Sequence, residues 1–301
     1  MIAGIGTGRI YMYSAGSWAE TQPAGAVDKY WLDVAMNSSG SVIIANVYGG
    51  RVYVYSGGSW NEVCPTGTCE NKNWYSCDIS YDGTKMIIGV SGGRVYTYNG
   101  SSWSEQQPAG ATDNAWKSVA ISGDGSKYMA NINNGRAYVY NGSSWSETQP
   151  AGAANVYWQN CAMNYDGTKY ILSASSGRYY YYNGSSWNEQ QPAGNSNQGW
   201  SGGDIDSTGT ILAASAGYPY TFRNSTWSSH NPASGSGNWY RFSVSKNGRV
   251  FLGGNYGLRL YKYTISLTEI RKINSVEISN INKINSLIKT STKKINGVLN
   301  N

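Results

Sequence analysis

The chain has 301 residues, 13% of them charged and 14% aromatic, with 26 Tyr and 12 Trp against 3 Phe, 38 Gly and a formal net charge of +6. That length supplies a core without staples, no run of about 18 apolar residues marks a membrane-spanning helix, and the single histidine, His230, argues against a multi-histidine metal site or histidine-based catalysis. Low charge with abundant Tyr, Ser, Gly and Asn suits a binding surface better than an enzyme, and no cofactor is expected.

From the first residue, MIAGIGTGRIYM lacks the basic start and apolar stretch of a secretory leader. Residues 1–14 read as two strands of a unit that then recurs. Trp18, Trp60, Trp103, Trp145, Trp187 and Trp227 form one series and Trp31, Trp74, Trp116, Trp158, Trp200 and Trp239 a second, at steps of 42 or 43 residues that shorten at the end. Pro23, Pro65, Pro108, Pro150, Pro192 and Pro232 keep the same phase.

One unit runs from Trp74 to Pro108. Residues 74–79 read as a first strand, and Tyr81-Asp82-Gly83-Thr84 as a tight turn, since Gly accepts positive φ at low cost. Residues 85–90 form a second strand apolar on both faces, Ser91-Gly92-Gly93 a turn, and Arg94–Tyr98 a third strand. Asn99-Gly100-Ser101-Ser102 turns again into an outer strand at 103–107, ended by Pro108, which lacks a ladder donor. Four antiparallel strands per about 40–45 residues is the pattern of a β-propeller blade. The expected fold is therefore all-β, a propeller of four-stranded blades over 1–263. Second and third strands recur seven times, first and fourth strands six times, which predicts seven blades with two incomplete ends; six is the alternative. Residues 264–270 offer a missing strand in either case.

Residues 264–301 are a different material. Lys272-Ile273-Asn274-Ser275 returns at Lys283 and Lys294 in steps of 11, and six Lys/Arg against two Glu place +4 of the +6 there. The reading is an anchoring or oligomerising tail, not a nucleic-acid arm, because aromatic interleaving is missing.

Position in the repeat separates scaffold from surface. Arg9, Arg51, Arg94, Arg136, Arg178 and Arg259 share one position, and Glu20, Glu62, Glu105, Glu147 and Glu189 another. Groups copied in nearly every blade are scaffold, so the arginines are expected to stack on aromatics or meet backbone carbonyls rather than bind an anion. Asp78 and Asp204 occupy first-strand positions able to line the central channel, as a water or cation site or as solvated, turn-supporting carboxylates. Cys77 and Cys161 read as small buried hydrophobes; Cys64 and Cys69 bracket a short loop open to a disulfide. Asn99, Asn141 and Asn183 head Asn-Gly-Ser sequons whose periodicity marks turn chemistry. The loops after each Pro, and the turns between second and third strands, do vary. They place Asp28, Lys29, Tyr30, Tyr48, Asn71, Asp113, Asn114, Asn133, Tyr157, Asn197 and Tyr218 on one end of the disc as candidate ligand-binding residues; the other end reads as uniform.

Tyr98-Asn99-Gly100-Ser101-Ser102-Trp103, repeated at Tyr140 and Tyr182, resembles a shortened Asp-box, the Ser-x-Asp-x-Gly-x-Thr-Trp turn of sialidase-type (BNR) propeller repeats. Asn stands where that family has Asp. The resemblance implies architecture and not hydrolysis, since in that family the turn is a folding device. The Lys-Ile-Asn-Gly-Val stretch at Lys294–Val298 resembles repeats of tailed-phage structural proteins, which implies a virion-attached adhesin. The expected function is a non-enzymatic binding protein on a virion or extracellular surface that recognises a host-surface glycan or protein. Its tail would join other virion or surface subunits or form a homo-oligomer, without nucleic-acid binding or membrane insertion. An architectural subunit making protein–protein contacts is the alternative, and a degenerate glycosidase the third.

Overall fold

A computed structural model describes residues 1–4, 6–230, 239–255 and 260–264. Pro232, Arg259, residues 265–270 of the strand expected at 264–270 and the tail repeats lie outside the described residues. Hairpins group the strands into seven antiparallel sheets. Sheet 1 holds Ile2–Gly4, Ile10–Ser14 and Ser17–Thr21. Sheet 2 holds Trp31–Met36, Ile43–Gly50, Val52–Ser56 and Ser59–Val63. Sheet 3 holds Lys72–Ile79, Met86–Gly93, Val95–Tyr98 and Trp103–Gln106. Sheet 4 follows with Asn114–Ile121, Tyr128–Gly135, Ala137–Tyr140 and Trp145–Thr148. Sheet 5 has Val156–Met163, Tyr170–Ala174, Tyr179–Tyr182 and Trp187–Gln190. Sheet 6 has Gly202–Ile205, Leu212–Ala216, Tyr218–Arg223 and Thr226–Ser229. Sheet 7 has Trp239–Val244, Val250–Asn255 and Leu260–Thr264. Among the described residues sheet 1 has no first strand and sheet 7 no fourth. Lys262 Nζ stands 5.0 Å from the Tyr13 ring centre, which brings sheet 7 back against sheet 1.

Local chemistry explains each hairpin. Gly83 takes φ 79° while Asp82 Oδ1 accepts from the Thr84 N–H at 2.9 Å. Ser80 Oγ accepts from the Lys85 N–H at 3.0 Å, and Asn37, Ser122, Asn164, Asp206 and Ser245 do the same at matching positions. Asn99 Oδ1 accepts from the Ser101 and Ser102 N–H groups at 2.9 and 3.0 Å, a geometry shared by Asn141 and Asn183, so these asparagines do build turns.

Tryptophan fills the wedges. The inner indoles are buried, none more than 5% exposed. In five sheets the register slips just after this residue, a bulge that re-aims the side chain. Each inner indole stands across the third-strand tyrosine of its own sheet, as in Trp74–Tyr96 at 6.0 Å and Trp116–Tyr138 at 6.0 Å, both edge-on. Its N–H reaches back to the preceding sheet: Trp31, Trp116, Trp158 and Trp200 donate to the carbonyls of Gly8, Gly93, Gly135 and Gly177 at 3.0–3.2 Å. Gly93 is required there, since a Cβ would lie 2.8 Å from Val90 Cγ1. The outer indoles repeat the device at the rim. Trp60, Trp145, Trp187 and Trp227 donate to Thr21, Gln106, Thr148 and Gln190 of the sheet before.

The arginine series forms ion pairs that its sequence reading did not include. Arg9, Arg51, Arg94, Arg136 and Arg178 pair with Glu20, Glu62, Glu105, Glu147 and Glu189 at 3.4–3.8 Å. The expected carbonyl contacts exist as well, from Arg9 to Ala26, Arg94 to Ala111 and Arg136 to Ala154. No helix of the described residues is long and apolar enough to cross a membrane.

Trp116 and Trp74 are equally buried, but Trp74 Nε1 has no hydrogen-bond partner. Trp116→Phe should therefore cost about 1–3 kcal/mol more than Trp74→Phe in urea unfolding, because it alone strands a bonded carbonyl. His230 Nε2 pairs with Thr221 Oγ1 at 2.7 Å, and burial pulls the imidazole down to about 4. Below pH 6.5 the unfolded chain binds the proton that the folded one refuses, so stability should fall as pH drops from about 6.5 to about 4. His230→Gln should remove that slope, which pH-dependent unfolding of the two proteins measures by difference.

Candidate functional site

First strands of successive sheets lie side by side around a common axis, and each is tied to its neighbour. Asp33, Asp78 and Asp204 act alike. Oδ1 accepts from the next N–H of its own strand, and Oδ2 from a backbone N–H of the following sheet: Cys77, Ile121 and Val244, at 3.0–3.2 Å. Ser118 Oγ does the same for Cys161 N–H at 3.1 Å. Asp78 and Asp204 are thus staples between sheets. This role is one that neither expected reading included; among the described residues no group of three or more His, Cys, Asp or Glu could hold a metal ion. Burial pushes the Asp78 carboxyl up to about 6 and Asp204 in the same direction, each opposed by Lys246.

The end carrying the first hairpins is closed by backbone. The N–H of Ser38 bonds the Tyr81 carbonyl, Tyr81 that of Gly123, Asp124 that of Tyr165, Tyr165 that of Ser207, and Ser207 that of Lys246, at 2.8–3.1 Å. Tyr81 and Tyr165 pack edge-on at 5.1 Å, and a Cβ on Gly123 would meet both rings within 2.8 Å. Lys246 Nζ lies 5.0 Å from the Tyr81 ring centre. The end expected to be uniform therefore differs from sheet to sheet around the axis.

The opposite, loop-bearing end collects most candidate residues. Val27, Tyr30, Tyr48 and Tyr157, four of the six large apolar side chains exposed among the described residues, lie here. Backbone bridges join sheets 1 to 6 in turn: Gly8 with Lys29, Tyr48 with Asn73, Gly93 with Asn114, Asn133 with Tyr157 and Gly177 with Gln198. The loops at these junctions are tied down, so Lys29, Asn114, Asn133 and Tyr157 present side chains from fixed backbone. Asn114 turns its amide back onto the Thr112 carbonyl at 3.1 Å. Asp28 and Asp113 are bound by Arg9 and Arg94 at 2.5 and 2.7 Å. Asn71 and Asp113 come together with Asn73, Ser91 and Arg94 around a groove of about 300 Å³ between sheets 3 and 4. Asn197 is exposed beside the Gln198 bridge. Tyr218 is a correction. It begins a strand and packs half-buried on the core of sheet 6, so it is not a free loop residue.

Near the axis the structure assembles a line of side chains that the sequence reading half found. Tyr30 and Tyr48 meet edge-on with centres 5.9 Å apart, Tyr48 and Tyr75 likewise at 6.2 Å, and Lys117 Nζ sits 4.4 Å above the Tyr75 ring while bonding its hydroxyl. Tyr75 and Lys117 were missed because they lie inside predicted strands. Their signal was the position just after each invariant Trp, which holds Leu32, Tyr75, Lys117, Gln159, Ser201 and Tyr240, five residue types in six repeats.

Sheets of this form and order around one axis define a β-propeller. The chain is similar to the solved Cps50 (Swd1) beta-propeller domain of Myceliophteria thermophila, with a TM-score of 0.68 over 88% of this chain and 93% of that one at 10% identity. That likeness carries the fold alone. No known protein family matches the sequence, and no curated protein is similar to it.

Cys64 and Cys69, the pair left open by the sequence, are joined, while Cys77 and Cys161 are buried thiols. Closing so short a loop restricts the unfolded chain only modestly, so replacing both Cys64 and Cys69 by Ser should lower unfolding free energy by about 2 kcal/mol. Chemical denaturation of the variant measures it.

Proposed function

We propose that the protein is a non-enzymatic recognition module, displayed on a virion or cell exterior, that binds a glycan through its loop-bearing face. The line Tyr30–Tyr48–Tyr75 carries this reading. Tyrosine offers an apolar ring to sugar C–H groups and a hydroxyl to sugar oxygens, and the bridged loops hold the rings without a large ordering cost on binding. Against glycoside hydrolysis of the sialidase kind, five arginines of the repeated series are engaged by five glutamates of the other, so neither series is free to gather around a substrate. The exterior placement draws on the resemblance of the tail to tailed-phage repeats.

The architectural reading is favoured by a separate observation. Five backbone bridges knit sheets 1 to 6 together at the loop-bearing end, a form suited to another subunit. A glycan array probed with the full chain separates the two. Binding that Tyr48→Ala weakens by about tenfold, equivalent to about 1.4 kcal/mol, supports recognition. Silence across the array, with a stable protein complex formed through this end, supports architecture.

A further inference from the structure

The charge pattern of the loop-bearing face refines that reading, on which this inference rests. Arg9, Arg51, Arg94, Arg136, Arg178 and Lys72 each have a carboxylate within 4.0 Å. Lys117 has none among the described residues. Its ammonium is half-buried at the end of the tyrosine line, with the phenol of Tyr75 as its hydrogen-bond partner. An ammonium has three N–H donors, so two remain for a ligand. Lys29, beside Tyr30 at the other end of the line, is exposed and likewise without a carboxylate partner among the described residues. The nearby acids Asp28 and Asp113 are already bound by Arg9 and Arg94. A neutral ligand laid over Lys117 would strip water from the cation and return nothing, whereas an anionic one compensates it. The rings run from sheet 2 to sheet 3, with Lys117 beyond them on sheet 4, so the row spans three successive sheets. Such a line takes the side of a polymer rather than its tip.

We propose that the ligand is a linear acidic saccharide, recognised along its length, with successive sugars against Tyr30, Tyr48 and Tyr75 and a carboxylate at Lys117 Nζ. The test is titration of the full chain with a galacturonate hexamer and with its fully methyl-esterified form, identical but for charge. The acid should bind about tenfold or more tighter, and added salt should shrink that ratio. Lys117→Gln should shrink the ratio most, by weakening the acid far more than the ester, Lys29→Gln should shrink it less, and Tyr48→Ala should weaken both forms alike. Galacturonate monomer should bind far more weakly than the hexamer. Equal binding of acid and ester overturns the acidic assignment while leaving glycan recognition intact. So does binding confined to neutral glycans. Absence of binding to any glycan overturns both. A single-stranded oligothymidylate that outcompetes the hexamer overturns the saccharide in favour of another anionic polymer.

Discussion

The wedge between neighbouring sheets is the constraint from which the rest follows. Two twisted sheets leave a gap that widens outward, and a side chain filling it must be large, flat and able to satisfy its own polar atom. Indole meets all three conditions. Buried in the wedge, Trp116 and Trp158 each place a ring against a tyrosine of their own sheet and an N–H on a glycine carbonyl of the sheet before. The same residue thus packs within one unit and ties it to its neighbour. The outer series repeats the link at the rim through a threonine or glutamine side chain. Charge adds little, because the repeated ion pairs are partly exposed and such pairs contribute little stability.

Periodicity made the fold legible. Trp and Pro phases, Asp-Gly and Asn-Gly turns and doubly apolar second strands each have a local physical meaning, and all of them agree. Strand ends shifted because neighbouring sheets pair with one another: the expected start at Trp74 moves back to Lys72, and the expected end at Val90 moves on to Gly93. The Arg and Glu series were each recognised as scaffold but not as partners. Their constant separation of eleven residues, as from Arg94 to Glu105, held that information, since the hairpin between them folds one strand back onto the other.

The candidate site was legible in part. Tyr30 and Tyr48 stand in loops that vary visibly from repeat to repeat. Tyr75 and Lys117 occupy strand positions, where variation resembles ordinary core substitution until the first strands are seen gathered at the axis. Asp28 and Asp113 vary as a binding residue would, yet each serves an arginine of its own scaffold. Variation along a sequence therefore marks freedom from the repeat, and only geometry tells which free positions face a common point.

The hydrogen bonds that pass from Ser38 through Tyr81, Asp124, Tyr165 and Ser207 to Lys246 all run in one sense. In a helix, peptide dipoles aligned along the axis add up to a macrodipole. Here they lie along the circumference, head to tail on a curve, and vectors arranged in that way largely cancel. These five links therefore add no helix-like macrodipole along the axis. The potential there is shaped by side chains, by Asp78 and Asp204 against Lys246, and because both carboxylates also staple sheet to sheet, exchanging either would alter the field and the junction together.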